Sequence, residues 1–239
     1  MKLSLVIPCY NEVKNIPFLM EKLAPFKDIN CEVILVDNGS KDETSAILMQ
    51  ELAKPENQFL KTVKIEINIG YGNGIMQGIK RATGDVIAWT HADLQTDVDD
   101  VKKAFELFCN HTQKNIFLKG VRRKRKFADT MFTSFMSVIS SLVLQAKLWD
   151  INAQPKMFYK EFLDLAPNPP NDFSLDLYFY YLARKHDYTL IEVPVDFKLR
   201  LYGEAKGGGG SDWKTKYKLI KRTWKYIFQL RKEIQTGIR

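Results

Sequence analysis

The 239-residue chain reads as an α/β protein: a doubly wound, mostly parallel sheet flanked by helices, with a basic amphipathic helix at the C-terminus. Three observations predict this. Short apolar runs at residues 3–7, 32–36 and 85–89 each end in a cluster of polar residues. The intervals between them carry helical periodicity, and strand alternating with helix is the pattern of a parallel sheet covered on both faces. Beyond residue 212 the sequence turns basic and aromatic.

The first run, Leu3-Ser4-Leu5-Val6-Ile7, is stopped by Pro8 and followed by Cys9-Tyr10-Asn11-Glu12. Residues 15–27 then place Ile16, Leu19, Met20 and Leu23 at helical spacing. The second run passes into Asp37-Asn38-Gly39-Ser40, and Ser40 with Asp42 and Glu43 predicts a helix with a serine cap and an acidic first turn. Asn68, Gly70, Gly72 and Gly74 form a glycine-rich turn entering a helix, where missing side chains and free N–H groups admit a ligand closely. Ala82-Thr83-Gly84 launches the third strand, which ends in Thr90-His91-Ala92-Asp93-Leu94-Gln95. A lone carboxylate thus sits at the carboxyl end of a parallel strand, where open α/β sheets bind ligands and where oxygen donors suit Mg²⁺ or Mn²⁺ bridging phosphates. On residues alone, a solvated turn competes with that reading.

Hydrophobic residues make up 45% of the chain, and its length suits one large core. We expect one domain over residues 1–211 and an appended basic helix over 212–239. Cys9, Cys31 and Cys109 are odd in number and lack metal-ligand spacing, which predicts reduced thiols and a cytoplasmic setting. The apolar start is only a strand long and carries Pro8, so no secretory leader is expected.

Charge is unevenly placed. The net charge is +8, and residues 213–239 account for it with nine Lys or Arg against Glu233. A second cluster, Arg122-Arg123-Lys124-Arg125-Lys126, precedes a 17-residue uncharged stretch from Thr130 to Ala146. Such clusters suit phosphate ligands, anionic lipid or nucleic acid. No nucleic-acid-binding motif accompanies them, which favours an anionic membrane surface as partner.

After that cluster Phe132, Phe135, Met136, Ile139, Leu142 and Val143 recur at helical spacing among serines, too short and too polar a helix to span a bilayer. Trp213, Tyr217, Ile220, Trp224, Ile227 and Phe228 form an aromatic stripe flanked by lysines, the composition of an interfacial helix. The expected location is therefore peripheral, on the inner face of the cytoplasmic membrane. For both stripes an ordinary core-facing helix is the alternative.

The order and spacing of Val6-Ile7-Pro8-Cys9-Tyr10-Asn11-Glu12, Val36-Asp37-Asn38-Gly39-Ser40, Asn68-Ile69-Gly70-Tyr71-Gly72, Ala82-Thr83-Gly84-Asp85 and Ala92-Asp93-Leu94-Gln95 resemble family 2 inverting glycosyltransferases of the GT-A fold. The segment Phe197-Lys198-Leu199-Arg200-Leu201-Tyr202-Gly203-Glu204-Ala205-Lys206-Gly207 is similar to the branch containing dolichol-phosphate mannosyltransferases and bacterial polyprenyl-phosphate glycosyltransferases. The resemblance implies a nucleotide-sugar donor, UDP- or GDP-linked, and a polyprenyl-phosphate acceptor, in surface polysaccharide or glycoconjugate synthesis.

Site roles follow from the same resemblance. Pro8, Tyr10, Glu12, Asp37, Asn68, Gly70, Gly72 and Ala92 match nucleotide-binding positions; strand-end capping is the alternative for Glu12 and Asp37. Asp93 matches the carboxylate that holds a divalent metal, Mn²⁺ or Mg²⁺, with Gln95 nearby. The family's first acid is His91 here, which either binds the ion, suiting Mn²⁺ better than Mg²⁺, or serves only as a hydrogen-bonding group. Arg122, in Gly120-Val121-Arg122, matches an arginine facing the phosphates, and Arg125 is a candidate for the acceptor phosphate. Asn152-Ala153-Gln154-Pro155-Lys156 stands where relatives carry a turn beside the donor sugar. Asp176 is a candidate catalytic base, with a helix-surface Asp as the alternative. Arg200 and Lys206 bracket a glycine-rich segment, 203–210, that either closes over the diphosphate or is a linker.

The implied reaction is a single displacement with inversion at the anomeric carbon. A lipid phosphate is already an anion and needs no strong base, leaving Asp176 to orient it; a saccharide hydroxyl would make Asp176 essential. Transfer to a free or lipid-linked saccharide is thus the second reading, and a non-catalytic sugar-nucleotide-binding or scaffold protein the third.

Overall fold

A computed structural model describes residues 1–124, 127–198, 200, 202 and 213–236, with the helical backbone alone at 127–129, 132, 213–216, 218–220 and 235. Among the described residues the strands are β1 (Leu3–Cys9), β2 (Cys31–Asn38), β3 (Leu60–Ile65), β4 (Val86–Trp89), β5 (Ile116–Arg123), β6 (Lys156–Tyr159) and β7 (Thr189–Asp196). The helices are α1 (Ile16–Leu23), α2 (Thr44–Leu52), α3 (Tyr71–Ile79), α4 (Asp99–Cys109), α5 (Phe127–Leu144), α6 (Leu175–Lys185) and α7 (Trp213–Gln235).

The strands form one sheet in the order β3-β2-β1-β4-β6-β5-β7. Only β6 runs antiparallel to its neighbours, β4 and β5. After β1 the chain winds outward through β2 and β3, then crosses back to lay β4 on the other side of β1. The loops leaving β1 and β4 therefore diverge, opening the crevice in which such sheets hold ligands.

Alternation within the strands builds a core on each face. Leu3, Leu5, Ile7, Val33 and Leu35 pack with α1, α2 and α4, through Leu19, Leu48 and Phe105 among others. Val6, Ile34, Val36, Ile87 and Trp89 pack on the opposite face with Ile75 of α3, Phe179 of α6 and Ile227 and Leu230 of α7. A fully buried side chain of this size stabilises by about 1.5–3 kcal/mol, so a one-residue slip of β1 would forfeit both layers.

Three local expectations change. Helix α1 stops at Leu23 instead of running to Lys27, and a 3₁₀ turn follows over Ala24–Asp28, which contains Pro25; proline lacks the N–H that an α-helix would need there. Ser40 does not cap α2, whose boundary residue is Glu43. Ser40 Oγ instead accepts from the Asn11 N–H, tying the β1 and β2 exits together.

The third change concerns α5, whose predicted stripe is split: Met136 and Val143 pack against the core beside buried Leu144. Ser137 and Ser140 are buried, while Met131, Phe135, Val138 and Leu142, spaced along one face, are half or more exposed. The core-facing alternative fails for Phe135 and Leu142. In α7, Ile227 and Leu230 are buried, and Tyr217 and Phe228 are exposed.

Candidate active site

A cleft of about 490 Å³ opens at the carboxyl ends of β1 and β4. Its walls gather Pro8, Tyr10 and Glu12 from the β1 exit, Asn68, Gly70 and Tyr71 at the entry to α3, and His91, Ala92, Asp93 and Gln95 after β4. Arg122, Asp176 and Arg200 join them from β5, α6 and the segment after β7. Two predicted residues stay outside the lining. Asp37 is buried and its Oδ1 accepts from the Ser40 N–H at 2.9 Å, leaving Asn38 to reach the cleft. Gly72 is packed beneath a loop instead: a Cβ there would lie 2.3 Å from the Pro170 carbonyl. Arg125, Lys206 and the glycine-rich segment 203–210 lie outside the described residues.

Asp93 is 6% exposed. Its Oδ1 accepts from the Gln95 N–H at 3.1 Å across a turn in which Leu94 takes φ +57°, a left-handed conformation that a leucine adopts only at a cost. Its Oδ2 accepts from Arg200 Nη2 at 2.5 Å, and Arg200 Nη1 lies 4.0 Å from Glu12 Oε1. Arg200 thus bridges the carboxylates delivered by β4 and β1.

Arg122 is held from three directions by Asp150, a residue that sequence reasoning missed. The Asp150 carboxylate accepts from the Arg122 backbone N–H at 2.7 Å, from Nε at 2.9 Å and from Nη2. The guanidinium keeps the Asp150 carboxyl below its ordinary pKa despite burial. Phe197 lies 5.4 Å from the Arg122 guanidinium as a cation–π partner. Such a clamp fixes a cation's direction before any anion arrives.

Asp176 is 1% exposed, so the helix-surface reading is corrected. Its Oδ1 accepts from Trp89 Nε1 at 3.1 Å and from Gln154 Nε2 at 2.8 Å, and Lys156 Nζ lies 3.5 Å away. Lys156, also missed as a site element, donates at 2.7 Å to the carbonyls of Ile151 and Ala153 and so braces the turn that precedes β6. Burial lowers its pKa to about 8, against the pull of the Asp176 charge. That turn comes close to β5: a Cβ on Gly120 would meet the Gln154 carbonyl at 2.1 Å.

Aromatic rings form the remaining wall. Tyr71 stacks on Phe173 at 4.8 Å, His91 lies 5.5 Å from Tyr71, and the Tyr71 hydroxyl accepts from Gln154 Nε2 at 3.2 Å. Burial pushes the Tyr71 phenol well above its usual pKa, keeping it neutral. The loop behind Phe173 is pinned by α7, whose Arg222 Nε meets Asp172 Oδ2 at 3.1 Å and whose guanidinium lies 5.5 Å from the Phe173 ring. The same loop presses on the glycine turn, where Gly70 takes φ +141° and a Cβ would lie 2.2 Å from the Asn171 carbonyl.

A switch-point cleft with an acidic loop after β4 and arginines fixed around it defines an α/β protein built to hold an anionic, phosphate-bearing ligand. The chain belongs to glycosyl transferase family 2, whose family model matches residues 4–177. An undecaprenyl-phosphate 4-deoxy-4-formamido-L-arabinose transferase from Photorhabdus laumondii is 32% identical over 149 residues, 61% of this chain and 44% of the relative. The enzyme of that name from Enterobacter sp. is 27% identical over 212 residues, 86% of this chain and 62% of the relative. The chain therefore spans less than two thirds of either relative's length.

Solved structures share the GT-A fold. A mannosyltransferase from Pyrobaculum calidifontis in complex with GDP-Man and Mn²⁺ aligns with TM-score 0.62 at 17% identity, over 84% of this chain and 58% of that one. Glucosyl-3-phosphoglycerate synthase from Mycobacterium tuberculosis, in complex with Mn²⁺, UDP-Glc and phosphoglyceric acid, aligns with TM-score 0.67 at 14% identity, over 93% and 79%.

Proposed function

We propose that this protein is an inverting glycosyltransferase that moves a sugar from a UDP- or GDP-linked donor to a polyprenyl phosphate at a membrane surface. Family membership and the undecaprenyl-phosphate relatives support the reaction class. The observation that carries the lipid acceptor is the outward apolar face of α5. The strand that bears Arg122 in the cleft leads into this helix, and Met131, Phe135, Val138 and Leu142 then run exposed along it. An apolar stripe on the helix that follows the strand bearing Arg122 suits a phosphate with a hydrocarbon tail. No helix among the described residues is long and apolar enough to cross a membrane, so docking through α5 and the basic α7, whose Ile227 and Leu230 stay in the core, is the arrangement we favour.

A divalent cation fits the donor set. Asp93 offers one carboxylate to the cleft, with Gln95 and His91 beside it, and one or two protein carboxylates completed by phosphate oxygens suffice for Mg²⁺ or Mn²⁺. When bound, the ion would neutralise charge on the departing diphosphate. The protein's own groups do the rest. Arg200 and Arg122 present cations to the phosphates, the Tyr71–Phe173 wall excludes water, and Gln154 and Asp176 border the space for the donor sugar.

A second reading, transfer to a saccharide hydroxyl, is favoured by one observation. The neighbours described above all meet Asp176 at Oδ1, and the residue lines the cleft. That is the disposition of a general base.

The test is a thermal-shift screen of UDP- and GDP-sugars with and without Mn²⁺, followed by transfer assays with the donor that binds. Product on polyprenyl phosphate supports the main reading; product on saccharides alone moves it to the second. Absence of any donor-dependent shift rejects both.

A further inference from the structure

At the C-terminal end of α5, away from the Arg122 end, the last turns of α5, α6 and α7 enclose a polar cavity of about 390 Å³. Lys147, Arg184, Lys185 and Arg231 line it, and among the described residues no carboxylate does. Part of this charge is ordinary helix capping. Arg184 and Lys185 occupy the last turn of α6, where positive charge offsets the helix dipole, and Arg231 Nη1 donates to the Val143 carbonyl at 2.9 Å.

Capping does not account for the rest. Arg184 Nε is buried without a hydrogen-bond partner among the described residues, a costly state. Lys147 adds a cation from the loop beyond α5, outside any helix end. We propose that the cavity binds the phosphate of an anionic membrane lipid, as a site separate from the cleft; this rests on the membrane-docking reading above.

What favours lipid over a soluble anion is exposed apolar surface flanking the lining residues along the chain. Leu142 is 72% exposed and Trp149 is 47% exposed, and in sequence they bracket the lining residues 143–147. A free phosphate gains nothing from such side chains, whereas a phospholipid also brings hydrocarbon chains for exposed apolar surface to meet. Helix α5 has 18 residues, about 27 Å of length. A lipid held at its far end would lay the helix along the membrane and fix where the cleft faces.

The test is co-sedimentation of the full chain with phosphatidylcholine vesicles, with and without a minority of phosphatidylglycerol. Each cation near an anionic surface contributes about a fivefold gain in partitioning. Lys147→Gln/Arg184→Gln should therefore lose at least that much of the preference for phosphatidylglycerol, with neutral-vesicle binding unchanged. Lys147→Gln alone, at an exposed loop position, should show part of the loss and guards against misfolding of the double variant. Undiminished preference in both variants overturns the site and leaves docking standing. Failure of the wild type to sediment with any vesicle rejects docking itself, and the site with it. A thermal upshift by inorganic phosphate that the substitutions abolish, with vesicle binding unaltered, reassigns the cavity to a soluble anion.

Discussion

Two buried carboxylates at opposite ends of the same sheet, Glu32 and Asp93, have opposite kinds of partners. Glu32, 3% exposed at the amino end, is enclosed by structure. Its Oε1 accepts from Ser4 Oγ at 2.5 Å and from Thr83 N and Oγ1 at 2.6 and 2.9 Å, while Lys61 and Lys2 reach Oε2 at 2.5 and 3.4 Å. Every donor comes from β1, β3, the residue before β1 or the turn before β4, positions that the sheet already holds. Asp93, 6% exposed at the carboxyl end, has its neighbour Gln95 and one guanidinium from a segment outside any helix or strand, and it faces a 490 Å³ cleft. Burial alone does not separate a structural acid from a functional one. The permanence of its partners does.

The sharpest way to break this comparison is Asp93→Ala. Transfer should fall by at least about 10²–10³-fold, the cost of losing one preorganised stabiliser of developing charge, because the ion that Asp93 would hold offsets the diphosphate charge. The melting temperature should stay near that of the wild type. Activity within a few-fold of wild type at saturating donor would make Asp93 structural as well.

The converse change, Glu32→Gln, should cost about 1.5–3 kcal/mol of stability through its charge-assisted bonds, read from the denaturant midpoint, with turnover intact below the melting range. Its pH dependence sharpens the point. The Glu32 carboxyl is held at about 2, below its ordinary 4.5. A depressed folded-state value adds stability that is complete above pH 4.5 and is lost as pH falls toward 2. Glu32→Gln should therefore flatten the acid limb of a melting-temperature profile; an unchanged limb would mean other groups control it.

Asp176→Asn divides the two acceptor readings. With a phosphate acceptor the loss should stay within about tenfold, since an anion needs no base; with a hydroxyl acceptor it should reach about 10²–10⁴-fold. The smallest expected effect belongs to His91→Asp, a shift of a few-fold in Mg²⁺ over Mn²⁺ activity, because carboxylate is the harder ligand. An unchanged metal preference would leave His91 as an aromatic neighbour of Tyr71.

Strands β1, β2 and β4, their polar tips and the strand-end position of Asp93 were legible from a local pattern: an apolar run, its terminator and the residues just past it. Glu12, Arg122, Asp176 and Arg200 came from the family resemblance, and β3, β5, β6 and β7 gave no comparable signal. Asp150 and Lys156 were legible in neither way. Their importance lies in what they hold across the fold, Arg122 in one case and Asp176 with the 151–153 carbonyls in the other. Neither spacing nor composition encodes that. Asp37 shows the complementary ambiguity, since a strand-end acid can also satisfy itself on its own turn, as it does with Ser40. The split of the α5 stripe, with Phe135 and Leu142 outward and Met136 and Val143 inward, was hidden as well, because periodicity identifies a stripe without saying which way each residue faces.

The clasp of Arg222 on Asp172 and Phe173 has a practical consequence for dissecting this protein. Cutting the chain before α7 would remove Ile227 and Leu230 from the core and, in the same stroke, take away the brace behind the ring on which Tyr71 rests. A tailless version would report a slackened donor pocket as readily as a lost grip on lipid. Surface point substitutions, not deletion, are the instrument that can tell those two apart.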